Sequence, residues 1–181
     1  MLALHLFALV GGCTATTPQP VSLAPGEVEV FLADKLDGVT SGYCLDIAGG
    51  RENVDTSKGL QAHTCYSYTG TLGTDQIIDS TLFAKGTIRL PRYDVCATLT
   101  DLSAGSSVAL SPCDGSKKQQ FIFSGSGTIA SKAAPTMCLT AAKATKSGKS
   151  STHQIKTLTL EPCSSDAAPR QVWATRTSAG Q

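Results

Sequence analysis

Six of the seven cysteines fall into three units of the same shape, and no other feature of this 181-residue chain restricts its fold as much. In each unit a Cys beside small or apolar residues is followed roughly twenty residues on by a second Cys, and then by a glutamine. The units are Cys44, Cys65 and Gln76; Cys96, Cys113 and Gln119; Cys138, Cys163 and Gln171. Their first cysteines lie 52 and 42 positions apart and their second ones 48 and 50. A period of that size marks one supersecondary unit used repeatedly. The chain is therefore expected to form a single threefold domain, with function wherever the copies differ.

Residues 2–12 form the one long apolar stretch, about half of the ~20 residues that cross a bilayer. It reads as a leader, although it lacks the Lys or Arg usual near the start of one. The segment Leu9-Val10-Gly11-Gly12-Cys13 resembles a bacterial lipobox, whose cysteine is lipidated and becomes the first mature residue. That reading gives a leader over 1–12, an anchor at Cys13, and a Pro- and Thr-rich flexible tether over 13–26. It places the domain on the bacterial cell envelope with a lipid bilayer as partner. Secretion after cleavage a few residues further on is the alternative. Parity supports the anchor, because pairing inside each unit leaves one cysteine of seven, and lipid would occupy it.

Export also puts the thiols in an oxidising compartment, where disulfides persist. Three bridges are expected, Cys44–Cys65, Cys96–Cys113 and Cys138–Cys163, each worth about 3 kcal/mol by chain entropy. No Cys-x-x-Cys occurs, and His63-Thr64-Cys65 is the only close Cys/His pair, so neither a metal nor a cofactor is expected. A net charge of +1 with 16% charged residues leaves no electrostatic footprint for nucleic acid.

Beyond residue 26, short apolar runs alternate with Gly, Ser, Asp and Pro, and no window holds a helical period for three turns. This is an all-β pattern. Twelve runs are expected as strands: 28–31, 43–47, 60–64, 76–79, 87–90, 95–99, 108–111, 121–123, 128–130, 137–141, 157–161 and 172–175. Twelve divides into three copies of four, as in a barrel. Gly86-Thr87-Ile88 and Gly127-Thr128-Ile129 echo each other a few residues after their unit's glutamine. The third unit has no such strand after it, so 28–31 is expected to take its place and join the chain ends.

The units, and above all Gly42-Tyr-Cys-Leu-Asp-Ile-Ala-Gly49, Gln119-Gln-Phe121 and Gln171-Val-Trp173, resemble the ricin B-type β-trefoil lectins over 27–177. The resemblance implies a β-trefoil in which Ile78, Phe121 and Trp173 plug the core, and a monomer that binds a glycan or small saccharide. In that family a sugar site uses an Asp two residues after the first Cys, which accepts from neighbouring sugar hydroxyls. A Gln four residues before the second Cys and an aromatic ring two residues before it join that Asp, together with an Asn-Gln pair. Carried over, the first copy supplies Asp46, Gln61, His63, Asp75 and Gln76. The second has Thr98, Ala109 and Ser111 at the first three places, and the third has Thr140, Thr159 and Glu161. One carbohydrate site is implied, in the first copy. There His63 is a smaller platform than Trp, with Tyr66 or Tyr68 available beside it. Asp75 cannot donate as Asn does, and two carboxylates near one sugar repel unless one is protonated.

A turn-capping role for Asp46 is the plain alternative to ligand binding. Because the glutamines recur in copies that lack a site, their shared role is expected to be structural. The lysines at 143, 146, 149 and 156 read as a solvated run. No hydrolase, protease or phosphate-loop motif occurs, so no enzymatic activity is expected. The rival to a lectin is a trefoil that has lost sugar binding and serves as a protein-interaction or structural part of the envelope.

Overall fold

A computed structural model describes residues 23–49, 54–69 and 73–177, without the side chains of Tyr68 and Thr69. The leader, Cys13 and most of the tether lie outside the described residues, as does the ring of Tyr68. Among the described residues fourteen strands form one curled sheet. They are β1 (Glu27–Leu32), β2 (Tyr43–Ile47), β3 (Leu60–Thr64), β4 (Ile77–Asp79), β5 (Arg89–Leu90), β6 (Val95–Leu99) and β7 (Ser106–Ser111). β8 (Phe121–Ile122), β9 (Ser126–Thr128), β10 (Ala130–Ser131), β11 (Met137–Ala141), β12 (Lys146–Ser147), β13 (Gln154–Pro162) and β14 (Val172–Arg176) follow. Every expected run has a counterpart. The two extra strands arise because 128–130 divides at Ile129 and because β12 forms a hairpin with β13. Gln76 lies in a 3-10 turn just before β4. Among the described residues no helix is long and apolar enough to cross a membrane.

The repeat in the sequence becomes a repeat in pairing. In each unit the strand that carries the first Cys pairs antiparallel with the strand that leads to the second: β2 with β3, β6 with β7, β11 with β13. A short strand precedes each first Cys and pairs with its strand, through Phe31↔Cys44, Arg89↔Cys96 and Ala130↔Cys138. β1 thus fills the place that the third unit lacks, and it pairs with β14 from Glu29↔Arg176 to Leu32↔Trp173. First and last strands close the barrel. All three expected disulfides are present, with S–S distances of 2.02, 1.96 and 2.05 Å.

Alternation decides what faces the core. Leu45, Ile47, Leu60 and Ala62 point into one hydrophobic cluster with Leu99, Leu139, Leu160 and Trp173, while Asp46, Gln61 and His63 stand on the other face of the same two strands. Ile78, Phe121 and Trp173 are buried, and the Trp173 indole donates to the Leu139 carbonyl at 3.2 Å. The turn into β3 needs glycine, because Gly59 sits at φ 75° and a side chain there would overlap the Val108 carbonyl.

One lysine departs from the solvated run. Lys143, Lys146 and Lys149 are exposed, but Lys156 is 1% exposed and lies 5.2 Å over the Tyr43 ring. β13 continues past its own repeat to pair with β3, and position 156 falls opposite the core residue Ala62. The buried ammonium is paired and fully bonded, reaching Asp37 Oδ2 at 2.8 Å, Thr145 Oγ1 at 2.7 Å and the Lys143 carbonyl at 3.1 Å. Tyr43 Oη and Thr145 Oγ1 also donate to that Asp37 oxygen, at 2.7 and 2.8 Å.

The bond from Lys156, helped by those from Tyr43 and Thr145, lowers Asp37 from 3.8 to about 2. Its stabilising contribution is therefore present above about pH 4 and is lost as pH falls through about 2. In urea unfolding, the gap in midpoint between the native chain and Asp37→Asn should be constant at neutral pH and close between pH 4 and 2. Because the Asp37 side chain is 41% exposed, the gap should be modest. A gap that persists unchanged below pH 2 would contradict this assignment.

Candidate functional site

The outward residues of β2 and β3 bring the first-copy set together. Asp46 stands opposite Gln61, and Cys44 opposite His63. Gln61 Nε2 donates to Asp46 Oδ1 at 2.8 Å, and Gln76 Nε2 donates to Oδ2 at 2.9 Å. Among the described residues Asp46 therefore caps no turn; both its oxygens receive side-chain amides, and it is 2% exposed. Each carboxylate oxygen retains a second lone pair. Burial, and next the charge of buried Asp75, push the Asp46 carboxyl well above its usual range, against the two amide bonds. The like-charge conflict expected from the sequence is thus present in the fold.

Gln76 belongs to a device that all three copies share. Its Oε1 accepts from the N–H of Tyr66, next after the second Cys, at 2.9 Å, and its Nε2 donates to the carbonyl of Thr64, just before that Cys, at 3.2 Å. Gln119 does the same with the Asp114 N–H at 2.8 Å and the Pro112 carbonyl at 2.9 Å. Gln171 repeats it with the Ser164 N–H at 3.0 Å and the Pro162 carbonyl at 2.9 Å. Each glutamine also donates to the side chain two residues after the first Cys: Asp46, then Thr98 at 3.1 Å, then Thr140 at 2.8 Å. The amide satisfies backbone groups on both sides of the disulfide, which is the structural role expected of it.

A threonine would therefore serve the clamp as well as Asp46 does. What distinguishes the first copy is a second oxygen at that position, with Gln61 on it. In the other copies the corresponding places are closed locally: Thr98 and Ser111 share a hydroxyl bond at 2.7 Å, and Thr159 donates to Glu161 at 2.9 Å.

His63 is 5% exposed and held by two rings rather than one. Its centroid is 5.1 Å from that of Tyr66 and 5.3 Å from that of His153, and the latter two are 6.1 Å apart. His63 Nδ1 lies 2.9 Å from the Thr64 carbonyl, which can only accept, so Nδ1 carries the proton. Burial holds this imidazole below its ordinary value, with the charge of His153 acting the same way and the Thr64 bond opposing. The ring is neutral at pH 7. Gly73 makes room for Tyr66 and Asp75, since a side chain there would overlap both the Tyr66 ring and the Asp75 carboxylate. Sequence reasoning missed His153. Its only trace was that the third disulfide spans 25 positions against 21 and 17, marking an insertion where that histidine lies.

Other clusters do not compete for the role. Glu29 comes close to Cys44 and Cys65 in a grouping of metal-ligand atoms, but the sulfurs are bonded to each other and Glu29 accepts from Arg176 at 2.6 Å. A hollow of about 470 Å³ opens where the three repeats meet, between Val28, Phe83, Phe123 and Thr175, away from Asp46.

Comparison with known proteins places this geometry. No curated protein sequence matches the chain. Among solved structures, the agglutinin of Abrus precatorius is 18% identical with a TM-score of 0.55, covering 82% of this chain. The chain spans 46% of that agglutinin's own length. An earthworm lectin C-terminal domain, a mutant solved with 6'-sialyllactose, is 18% identical with a TM-score of 0.57, covering 84% of this chain and 100% of that one. The β-trefoil lectin of the Vibrio vulnificus hemolysin/cytolysin, solved with N-acetyl-D-lactosamine, is 14% identical with a TM-score of 0.53, covering 86% and 97%. At such identities these likenesses establish the trefoil fold. The family profile of the ricin-type beta-trefoil lectin domain matches residues 34–173, so the chain belongs to the ricin-type β-trefoil lectin family, whose domain is a carbohydrate-binding one.

Proposed function

We propose that this domain binds a glycan through a single site in its first repeat, in which Asp46, Gln61 and Gln76 hydrogen-bond the sugar and His63 stands against its apolar face. Asp75 adds its charge to the burial that raises the Asp46 carboxyl. One observation carries the reading: of three equivalent positions, only Asp46 offers a carboxylate, and only there does a second amide, from Gln61, hold the oxygen that the glutamine clamp does not use. A carboxylate fixed by two amides and retaining free lone pairs suits two neighbouring sugar hydroxyls. One site of this kind nets ~1 kcal/mol per hydrogen bond against water and should bind on the order of millimolar. Many copies on one membrane would raise the avidity. The test is an NMR titration with mono- and oligosaccharides. Shifts centred on residues 43–76 support the site, and none at tens of millimolar (about 2–3 kcal/mol) removes it.

A second reading, a trefoil without sugar binding that acts as an interaction or structural part of the envelope, draws on the burial of Asp46 and His63. A sugar could reach them only if covering groups move. A glycan array and a pull-down with the same protein separate the two.

The anchor belongs to the same proposal: Cys13 carries lipid and the tether presents the domain from the bacterial envelope. Growth with a labelled fatty acid should mark the chain, and Cys13→Ser should abolish the label. No label on either would leave a secreted protein, and equal label on both would place the lipid elsewhere than Cys13.

A further inference from the structure

Resting on the first-repeat glycan reading, we infer that the site selects an anionic saccharide, whose carboxylate or sulfate is met by Lys146 and Lys149 of the third-repeat hairpin. The insertion is responsible. β13 leaves its own repeat and pairs with β3, with Ile155 opposite His63 and Thr157 opposite Gln61. On the other edge of β13, Lys146 is opposite Ile155. Directly opposed residues point to the same side of a sheet, so Lys146, Ile155 and His63 form one row on the outer face. With strands ~4.8 Å apart, Lys146 stands about 10 Å from His63, within reach of its long side chain to a ligand resting there. His153, two residues before Ile155 and on the same face, packs directly on His63.

The charge is available. Residues 141–156 contain no Asp or Glu, and among the described residues no acidic group lies within ion-pair distance of Lys143, Lys146 or Lys149. Lys156 is the exception, already held by Asp37. A lipid headgroup shares the ligand's charge, but lipid binding would also use apolar groups beside the lysines. Ile122, in the second repeat, is the one exposed large hydrophobic residue among those described. Lys146 borders a set of rings and amides, which is the chemistry of a sugar, and Lys149 follows Gly148, whose N–H donates to the His153 carbonyl at 2.6 Å.

The full chain should be titrated at low ionic strength with galactose, galacturonate and galactose 6-sulfate, and with glucose and glucuronate. The anionic member of each pair should bind about threefold to tenfold tighter, as expected for two or three exposed charge contacts. The preference should fade near 1 M salt, where the Debye length is about 3 Å. Lys146→Ser/Lys149→Ser should bring the ratio within about twofold at the ionic strength where it was largest. The sulfate and uronate arms tell which anion is read.

Equal binding of neutral and anionic sugars, shifting residues 43–76, overturns this inference and leaves the first-repeat site standing. Binding of neither overturns both. Anion binding that survives Asp46→Thr, or lysine-dependent retention on phosphatidylglycerol/phosphatidylcholine vesicles with no sugar preference, means that the lysines serve a surface other than this site and overturns the inference.

Discussion

Arg176→Ala is expected to cost the domain about 3–5 kcal/mol, a large share of the 5–15 kcal/mol that holds a typical domain folded. Glu29 is 0% exposed, and its Oε2 accepts from Arg176 Nε at 2.6 Å and from Ser67 Oγ at 2.7 Å. The guanidinium also sits 4.2 Å over the Phe31 ring and within 3.8 Å of the Cys44 sulfur. These two residues face each other in the β1–β14 ladder, so the pair lies on the seam that joins the ends of the domain. Removing the cation leaves a carboxylate desolvated with its main compensation gone. The loss should appear as a lower denaturant midpoint at unchanged m. Glu29→Gln/Arg176→Met should recover much of it, because neither buried charge then remains. A single-variant loss below about 1 kcal/mol would show that the pair is not what fastens the seam.

Asp46→Thr should remove glycan binding while the fold stays intact. The other repeats supply the control. Thr98 and Thr140 accept from their glutamines and donate to the carbonyls of Cys96 and Cys138 at 3.1 and 2.9 Å, so a threonine already satisfies the clamp at this position twice. Gln61 loses its acceptor but is half-exposed and can turn to water. Charge-assisted hydrogen bonds are worth ~1.5–3 kcal/mol each, so a millimolar site should weaken at least about tenfold and pass out of range of titration. Asn is the poorer probe, because its own NH₂ would meet one of the two glutamine amides that now donate to Asp46.

The same substitution has a stability signature. With its pKa raised in the folded state, Asp46 favours folding most fully below about 3.8, and that contribution is lost as pH rises through the folded value. Relative to the native chain, Asp46→Thr should therefore gain stability as pH rises above about 4 and lose that gain as pH falls back towards 4. Sugar binding that persists in Asp46→Thr would place the site outside the first repeat.

Much of the fold was legible because its determinants act over short separations. The two cysteines of each unit sit near the ends of adjacent antiparallel strands, so their spacing was enough to pair them. The clamp made by Gln76, Gln119 and Gln171 was legible as structural because it recurs where Asp46 has become threonine. The convergence of Asp46, Gln61 and Gln76 followed from the resemblance, since all three lie in one repeat. The burial of Asp46 and Gln76 did not follow: exposure depends on what neighbouring segments lay over a strand, and periodicity carries no record of that.

Composition misled at one place, and for a related reason. Four lysines among Ser, Thr and Gly look alike along the chain, yet Lys156 lies opposite Ala62 and turns inward, while Lys146 lies one strand further out and stays in water. The difference is a register across two repeats. His153 escaped notice in the same way, about ninety positions from the ring it packs against. By itself, then, the sequence determined the threefold β architecture, its disulfides, its glutamine clamps and the copy that retains a carboxylate, all of which are local or periodic. Only the tertiary structure decided that Glu29 and Arg176 share a buried seam, that Lys156 is a core cation, and that the third repeat lends His153 and a basic hairpin to the first, because strand register between repeats sets those contacts.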